Sequence, residues 1–123
     1  MSERRLSLGR RGEALAEAHL VHHGYRILAR NWRSRLGEID LVAEQGATLV
    51  FVEVKTRSSA LRGSAAEAVT SDKQRRLTRL AREYLQHHGQ LERAARFDVV
   101  AITLADDAEP RVELIRNAFD ALA

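Results

Sequence analysis

Glu53 and Lys55 stand two residues apart in the run Leu49-Val50-Phe51-Val52-Glu53-Val54-Lys55. A strand alternates its side chains with period two, so this acid and this base point to one face. A strand so apolar is expected at the centre of a sheet, where charges are costly unless paired or metal-bound. A third charge lies upstream in Gly37-Glu38-Ile39-Asp40. A two- or four-residue hairpin loop at Gln45-Gly46-Ala47 gives paired positions an odd sum, so Asp40 faces Phe51 or Glu53. Asp40, Glu53 and Lys55 are therefore expected to converge on one side of the sheet centre. Glu38 shares that face by spacing but is expected nearer the sheet edge.

The chemistry that uses such a set is metal-assisted phosphodiester hydrolysis. Two close carboxylates repel, and a Mg²⁺ or Mn²⁺ between Asp40 and Glu53 turns repulsion into a site. A metal so held polarises the phosphoryl oxygen and lowers the pKa of a bound water. Lys55 can orient that water and offset negative charge in the transition state. Of 20 basic residues only Lys55 and Lys73 are lysines, where a compact amine with an adjustable pKa replaces the prevailing arginine.

Other residues admit two readings. Arg57 shares the parity of Glu53 and Lys55 and suits a phosphate contact. Lys73 and Gln74 fall at the start of a helix, where they either cap the first turn or receive phosphate. Arg75, Arg76, Arg79 and Arg82 read as the solvated face of that helix or as backbone-phosphate contacts. His22-His23 and His87-His88 precede glycines at helix ends, where the dipole favours histidine without any metal. Trp32 either packs or stacks on an unpaired base.

The elements that must position these residues follow from periodicity. Arg11 to His23 reads as a helix with Ala14, Leu15, Ala18 and Val21 at helical spacing, stopped at Gly24. Tyr25–Arg33, Glu38–Ala43 and Thr48–Thr56 read as strands. Arg57–Gly63 is expected as a polar loop. A long helix starts near Ser71, where Ser71 and Gln74 form a capping-box pattern, and it ends at Gly89. Its buried stripe is Leu77, Leu80, Ala81, Tyr84 and Leu85. Phe97–Leu104 is a strand, Asp106–Pro110 a turn and Val112–Ile115 a short last strand. The long helix between the third and fourth strands favours a parallel crossover.

Composition sets the bounds. A chain of 123 residues, 45% apolar and 30% charged, fits one globular domain. Residues 1–10 are expected as a flexible basic tail and residues 11–123 as a single domain. The lack of cysteine excludes disulfides, thiolate zinc sites and Cys nucleophiles and suits a reducing cytoplasm. No apolar leader core follows the N-terminus, and no segment approaches the roughly 18 apolar residues that span a membrane. Net charge is only +3, but it is unevenly spread. Residues 36–55 carry 4 acids against Lys55, while residues 1–35 carry 8 Arg against 3 acids. Basic blocks around an acidic centre fit either ordinary solvated charge or a phosphate-binding rim around a metal pocket.

Asp40, Glu53-Val54-Lys55 and a preceding helix carrying Glu13 resemble the core of the PD-(D/E)XK nuclease superfamily, which includes archaeal Holliday-junction resolvases. More closely, an ordered set resembles the small bacterial YraN family. It comprises Gly9-x-x-Gly12-Glu13, Asn31-Trp32-Arg33, Gly37-Glu38-Ile39-Asp40-Leu41, Phe51 to Arg57, Ala68-Val69-Thr70-x-x-Lys73-Gln74 and Arg96 to Val100. The resemblance runs from about Gly9 to Phe119. It implies an α/β, restriction-endonuclease-like mixed five-stranded sheet flanked by helices, in the order α-β-β-β-α-β-β.

It also implies that Asp40 and Glu53 ligate Mg²⁺ or Mn²⁺ with the Val54 carbonyl, and that Lys55 positions water. Glu13 would bind a second metal or a metal-bound water, although a first-turn acid is favoured by the helix dipole alone. Ile39 stands where the superfamily usually has proline. The function expected is a divalent-metal-dependent endonuclease acting on DNA, branched or structured DNA included, as a cytoplasmic protein with no membrane partner. Nucleases of this type often form homodimers. The alternatives are a non-catalytic nucleic-acid-binding module that keeps the fold and a protein-interaction subunit.

Overall fold

Among the described residues, apolar periodicity and glycine punctuation resolve into two helices and five strands. The computed structural model describes residues 3–58, 69–105 and 108–121. In chain order the elements are α1 (Glu3–His22), β1 (Arg26–Ser34), β2 (Gly37–Gln45), β3 (Thr48–Arg57), α2 (Ser71–His87), β4 (Ala95–Thr103) and β5 (Arg111–Phe119). They form one mixed sheet in the order β1-β2-β3-β4-β5. Only the β3–β4 pairing is parallel, as the helical crossover between those strands requires. The α-β-β-β-α-β-β order expected of a restriction-endonuclease-like domain is the order found.

The two faces of the sheet have separate cores. On one, Ala16 and Leu20 of α1 pack on Leu41, Val50, Val52, Val100 and Ile102. On the other, Leu77, Leu80, Ala81 and Tyr84 of α2 pack on Leu49, Phe51, Phe97 and Val99. β3 is the central strand, and covering both its faces explains its continuous apolar run. α1 ends with Gly24 at φ 87°, where the Tyr25 N–H reaches the Leu20 carbonyl and the Gly24 N–H that of Val21. That pairing is the Schellman closure expected of a left-handed glycine.

The packed face of α1 is Ala16 and Leu20, whereas Ala14, Ala18 and Val21 of the stripe expected there are exposed. Four further details differ from expectation. α1 begins at Glu3, inside the stretch expected as a tail; once Ala16 and Leu20 anchor a helix, good helix formers such as Arg10 and Leu8 extend it at little cost. The N-cap of α2 is Thr70 and not Ser71, its hydroxyl accepting from the Lys73 N–H, while Gln74 donates to the Val69 carbonyl. β5 is nine residues long, reaching Phe119 instead of stopping at Ile115. A bulge allows this, with Asn117 at φ 51° and a register shift opposite Asp98.

The fourth difference is that strict alternation fails in β1 and β2. Ala29 and Trp32 are three residues apart yet pack in the same core, as do Ile39 and Val42, while Leu41 lies in the other. Residues 59–63 of the expected polar loop, Ala68 of the motif set, and residues 106–107 of the expected turn lie outside the described residues. No helix among the described residues is long and apolar enough to cross a membrane.

Candidate metal and phosphate site

β2 and β3 part at one end of their hairpin, and the site is built in the gap. Their ladder runs from Gln45↔Thr48 to Leu41↔Val52 and stops there. Asp40, the next residue of β2, turns its Oδ2 to accept the Val54 N–H at 2.8 Å. Alternation breaks next to Asp40, which lies beside α1 yet still within hydrogen-bond reach of Glu53, while Glu53 and Lys55 share the α2 face as expected. Asp40 gathers with a residue of α1, whereas Glu53 pairs with a residue of α2. The site therefore straddles the end of the sheet between its two helical layers.

From the α1 side comes Glu13. A Cβ on the preceding Gly12 would stand 1.9 Å from Thr56 Oγ1, so only glycine lets α1 approach β3 this closely. Carboxylate oxygens of Glu13, Glu38 and Asp40 all lie within 4.8 Å of one another, a grouping that could hold a metal ion. Glu38, expected at the sheet edge, thus belongs to the cluster. Asn31 organises it, with its Nδ2 donating to Glu38 Oε1 at 2.6 Å and to Glu13 Oε1 at 3.5 Å. It does so from φ 51°, a conformation asparagine tolerates better than most residues. Arg33 donates to the other oxygen of Glu38 at 3.1 Å.

Asp40 feels this crowding most. Burial, reinforced by the Glu53 and Glu13 charges, pushes its carboxyl up to about 8, and the Val54 N–H opposes the rise only in part. Glu53 is close enough to share a hydrogen bond with Asp40. It is buried at 7% exposure and its Oε1 lies 2.8 Å from Lys73 Nζ, in the first turn of α2. The neutralising cation for Glu53 is therefore Lys73 of α2 and not Lys55 of its own strand.

Lys55 is exposed and makes no ion pair among the described residues. Arg57 is half-buried, and its Nε donates to Thr103 Oγ1 at 3.5 Å. The Gln74 side chain is engaged by the Val69 carbonyl, which leaves it a capping group in this conformation. Sequence reasoning passed over Glu38 and Asn31. The signals were present in the Glu38-x-Asp40 spacing and in an asparagine, a residue type that tolerates positive φ, within Asn31-Trp32-Arg33.

Residues 12–102 match the profile of the uncharacterised protein family UPF0102. A UPF0102 protein of Rhodococcus jostii is 52% identical over 114 residues, covering 93% of this chain and 97% of its own. One from Geobacter metallireducens is 50% identical over 120 residues, covering 98% of each chain. Among solved structures, Archaeoglobus fulgidus Hjc, a Holliday junction resolvase, is similar with TM-score 0.46 and 23% identity. That likeness covers 85% of this chain and 74% of the resolvase. Pyrococcus furiosus SfsA, solved in complex with Ca²⁺, gives TM-score 0.43 and 18% identity over 92% of this chain and 63% of that one.

Proposed function

The chain belongs to the uncharacterised protein family UPF0102, and for the site it carries we propose a divalent-metal-dependent nuclease that hydrolyses phosphodiester bonds in DNA, structured or branched DNA included. The observation that carries this reading is the crowding of Asp40 with Glu13 and Glu38, within reach of Glu53. Like charges gathered without a matching set of cations are costly unless a cation is meant to join them. The donors are all carboxylate oxygens, the hard ligands that Mg²⁺ or Mn²⁺ prefers. Asp40, Glu13 and Glu38 would hold the metal, with Glu53 beside them. When bound, the metal supplies Lewis-acid stabilisation of phosphoryl charge and a more acidic water.

The chain's own groups do the rest. Lys55, exposed beside this cluster, donates a hydrogen bond to the attacking water or to a phosphoryl oxygen as charge develops there. Arg57 contacts the substrate backbone, and Lys73 fixes Glu53 so that its carboxylate remains beside Asp40. Gln74 secures the first turn of α2 through the Val69 carbonyl, next to Lys73. DNA as partner and a reducing cytoplasm as setting belong to the same reading.

The test is incubation of purified protein with linear duplex, single-stranded and four-way-junction DNA, with Mg²⁺, Mn²⁺ or chelator. Metal-dependent cleavage is expected, lost in Glu53→Ala and in Lys55→Ala. Cleavage that survives both substitutions overturns the site assignment. One observation favours a second reading, a binding module without turnover: Glu53, the metal ligand that the E-x-K resemblance implies, is already ion-paired with Lys73. Salt-sensitive DNA binding, unchanged in Asp40→Ala and without cleavage in any metal, would select that reading.

A further inference from the structure

We propose that Arg111 on β5, together with Arg57 and Thr103, forms a second phosphate-binding station that leads the nucleic-acid backbone across the sheet from Lys55. The proposal rests on the nuclease reading only in taking nucleic acid as the ligand. It begins from register. Three successive rungs cross β3, β4 and β5 on the α2 face: Glu53–Val99–Ile115, then Lys55–Ala101–Glu113, then Arg57–Thr103–Arg111. The first rung is tied to the α2 core through Val99 and Ile115. Moving outward, the same face changes from apolar to charged.

The outermost rung borders a cavity of about 290 Å³, lined by Arg57, Thr103, Arg111 and Glu113 among others. Neighbouring strands lie about 4.8 Å apart, so the two arginines spring from backbones roughly 10 Å apart with the Thr103 hydroxyl between them. The Arg57 Nε bond to Thr103 Oγ1 holds its guanidinium at this cavity. Arg111 is exposed and makes no ion pair among the described residues. Two arginines and a hydroxyl lining one cavity offer donors that match the oxygens of a phosphate, which guanidinium binds in a bidentate manner.

The distance fits a strand of nucleic acid. Four residues along β3 separate Arg57 from Glu53, roughly 13 Å at strand rise. At about 3.4 Å of axial rise per nucleotide, the station meets a phosphate some four nucleotides from the metal cluster. Lys55 lies midway and continues the positive track. Glu113 lies on the Lys55 rung itself, paired with Ala101 on β4 next to the Arg57–Thr103–Arg111 rung. It opposes the binding of a phosphate backbone there, so its removal should strengthen binding where removal of Arg111 weakens it.

The experiment measures binding of a fluorescent four-way DNA junction and a linear duplex in chelator, across about 50 to 200 mM salt. Wild type is compared with Arg111→Ala, Glu113→Gln and Arg26→Ala, a control on the distant β1 edge. Arg111→Ala should bind about 3–10-fold more weakly, with the log–log salt slope reduced by about 1. Glu113→Gln should bind about 2–5-fold more tightly, and Arg26→Ala like wild type.

Equal affinity and slope in wild type and Arg111→Ala overturn the station. So does an equal loss in Arg26→Ala, because the effect is then bulk charge. Cleavage in Mg²⁺ is scored separately. If wild type cleaves while Arg111 proves indifferent, the station falls and the nuclease reading stands. If binding depends on Arg111 and no metal yields cleavage, the station stands and the catalytic reading falls. Absence of any binding at the lowest salt overturns the station, with cleavage alone then deciding the nuclease reading.

Discussion

Asp98 on β4 and Asp40 on β2 are carboxylates withdrawn from water within one sheet, and their surroundings have opposite character. Asp98 is 0% exposed and fully answered. Its Oδ1 accepts from Arg96 Nε at 3.0 Å and the Asn117 N–H at 2.9 Å; its Oδ2 accepts from the Tyr25 hydroxyl at 2.8 Å and from Arg96 Nη2 at 3.3 Å. Asp40 accepts one strong backbone bond and otherwise faces Glu13, Glu38 and Glu53. A saturated carboxylate is a structural fastener, here joining the α1–β1 turn, β4 and the β5 bulge. An acid surrounded by acids contributes nothing comparable to the fold, and its environment makes sense when a cation joins it. Burial alone does not separate the two, whereas the sign of the neighbours does.

The comparison breaks most readily at Asp98. Asp98→Asn leaves Arg96 without its counter-charge and turns an amide donor toward groups that themselves donate. The expected loss is about 3–5 kcal/mol of unfolding free energy, the usual cost of orphaning a buried ionic partner. Urea denaturation should show this loss equally with and without Mg²⁺. A loss below about 1 kcal/mol would mean that the network is ornamental to stability.

At Asp40 the expected effect is smaller and has the opposite sign. Its folded-state pKa, pushed up to about 8, lies above the unfolded value of 3.8, so the folded chain holds the extra proton between these limits. Stability from this group is then fully present below pH 3.8 and lost as pH rises through the folded value. The slope is at most about 1.4 kcal/mol per pH unit, and partial exposure and screening leave about 2 kcal/mol over the window. Thermal melts of metal-free protein should fall from pH 5 to pH 8. Asp40→Asn should flatten that fall, and saturating Mg²⁺ should remove it. A wild-type profile as flat as that of Asp40→Asn would refute the crowding argument.

These contrasts explain what could be read from the chain and what could not. The α-β-β-β-α-β-β order and the parallel β3–β4 crossover followed from periodicity, since α2 carries a clean apolar stripe and β3 is apolar on both faces, whereas in α1 periodicity located the helix but not its buried face. Asp40 and Glu53 emerged as neighbours because a two-residue loop sets their register. Face assignment near Asp40 did not follow, because a local break in alternation around residues 30–31 and 40–41 leaves no mark in hydrophobicity. Glu38 was set aside for the same reason. The β5 bulge at Asn117 and the role of Asp98 depend on contacts between residues 19 to 73 positions apart, which no local pattern encodes.

The finest test concerns Asn31, which holds Glu38 and Glu13 together from a left-handed conformation. Asn31→Gly keeps that backbone conformation accessible and removes only the amide, so stability should change little. Metal binding should suffer more, by about tenfold, as is usual when a group orienting the ligands is lost. Titration with Mn²⁺ followed by calorimetry measures this directly. Asn31→Asp supplies the converse: a fourth carboxylate that raises electrostatic attraction for the ion while steepening the alkaline loss of stability in its absence. If Asn31→Gly binds Mn²⁺ as wild type does, the amide serves the strand and not the cluster. Asn31 would then belong with Asp98 among the fasteners, and the boundary between fold and site would run through β2 alone.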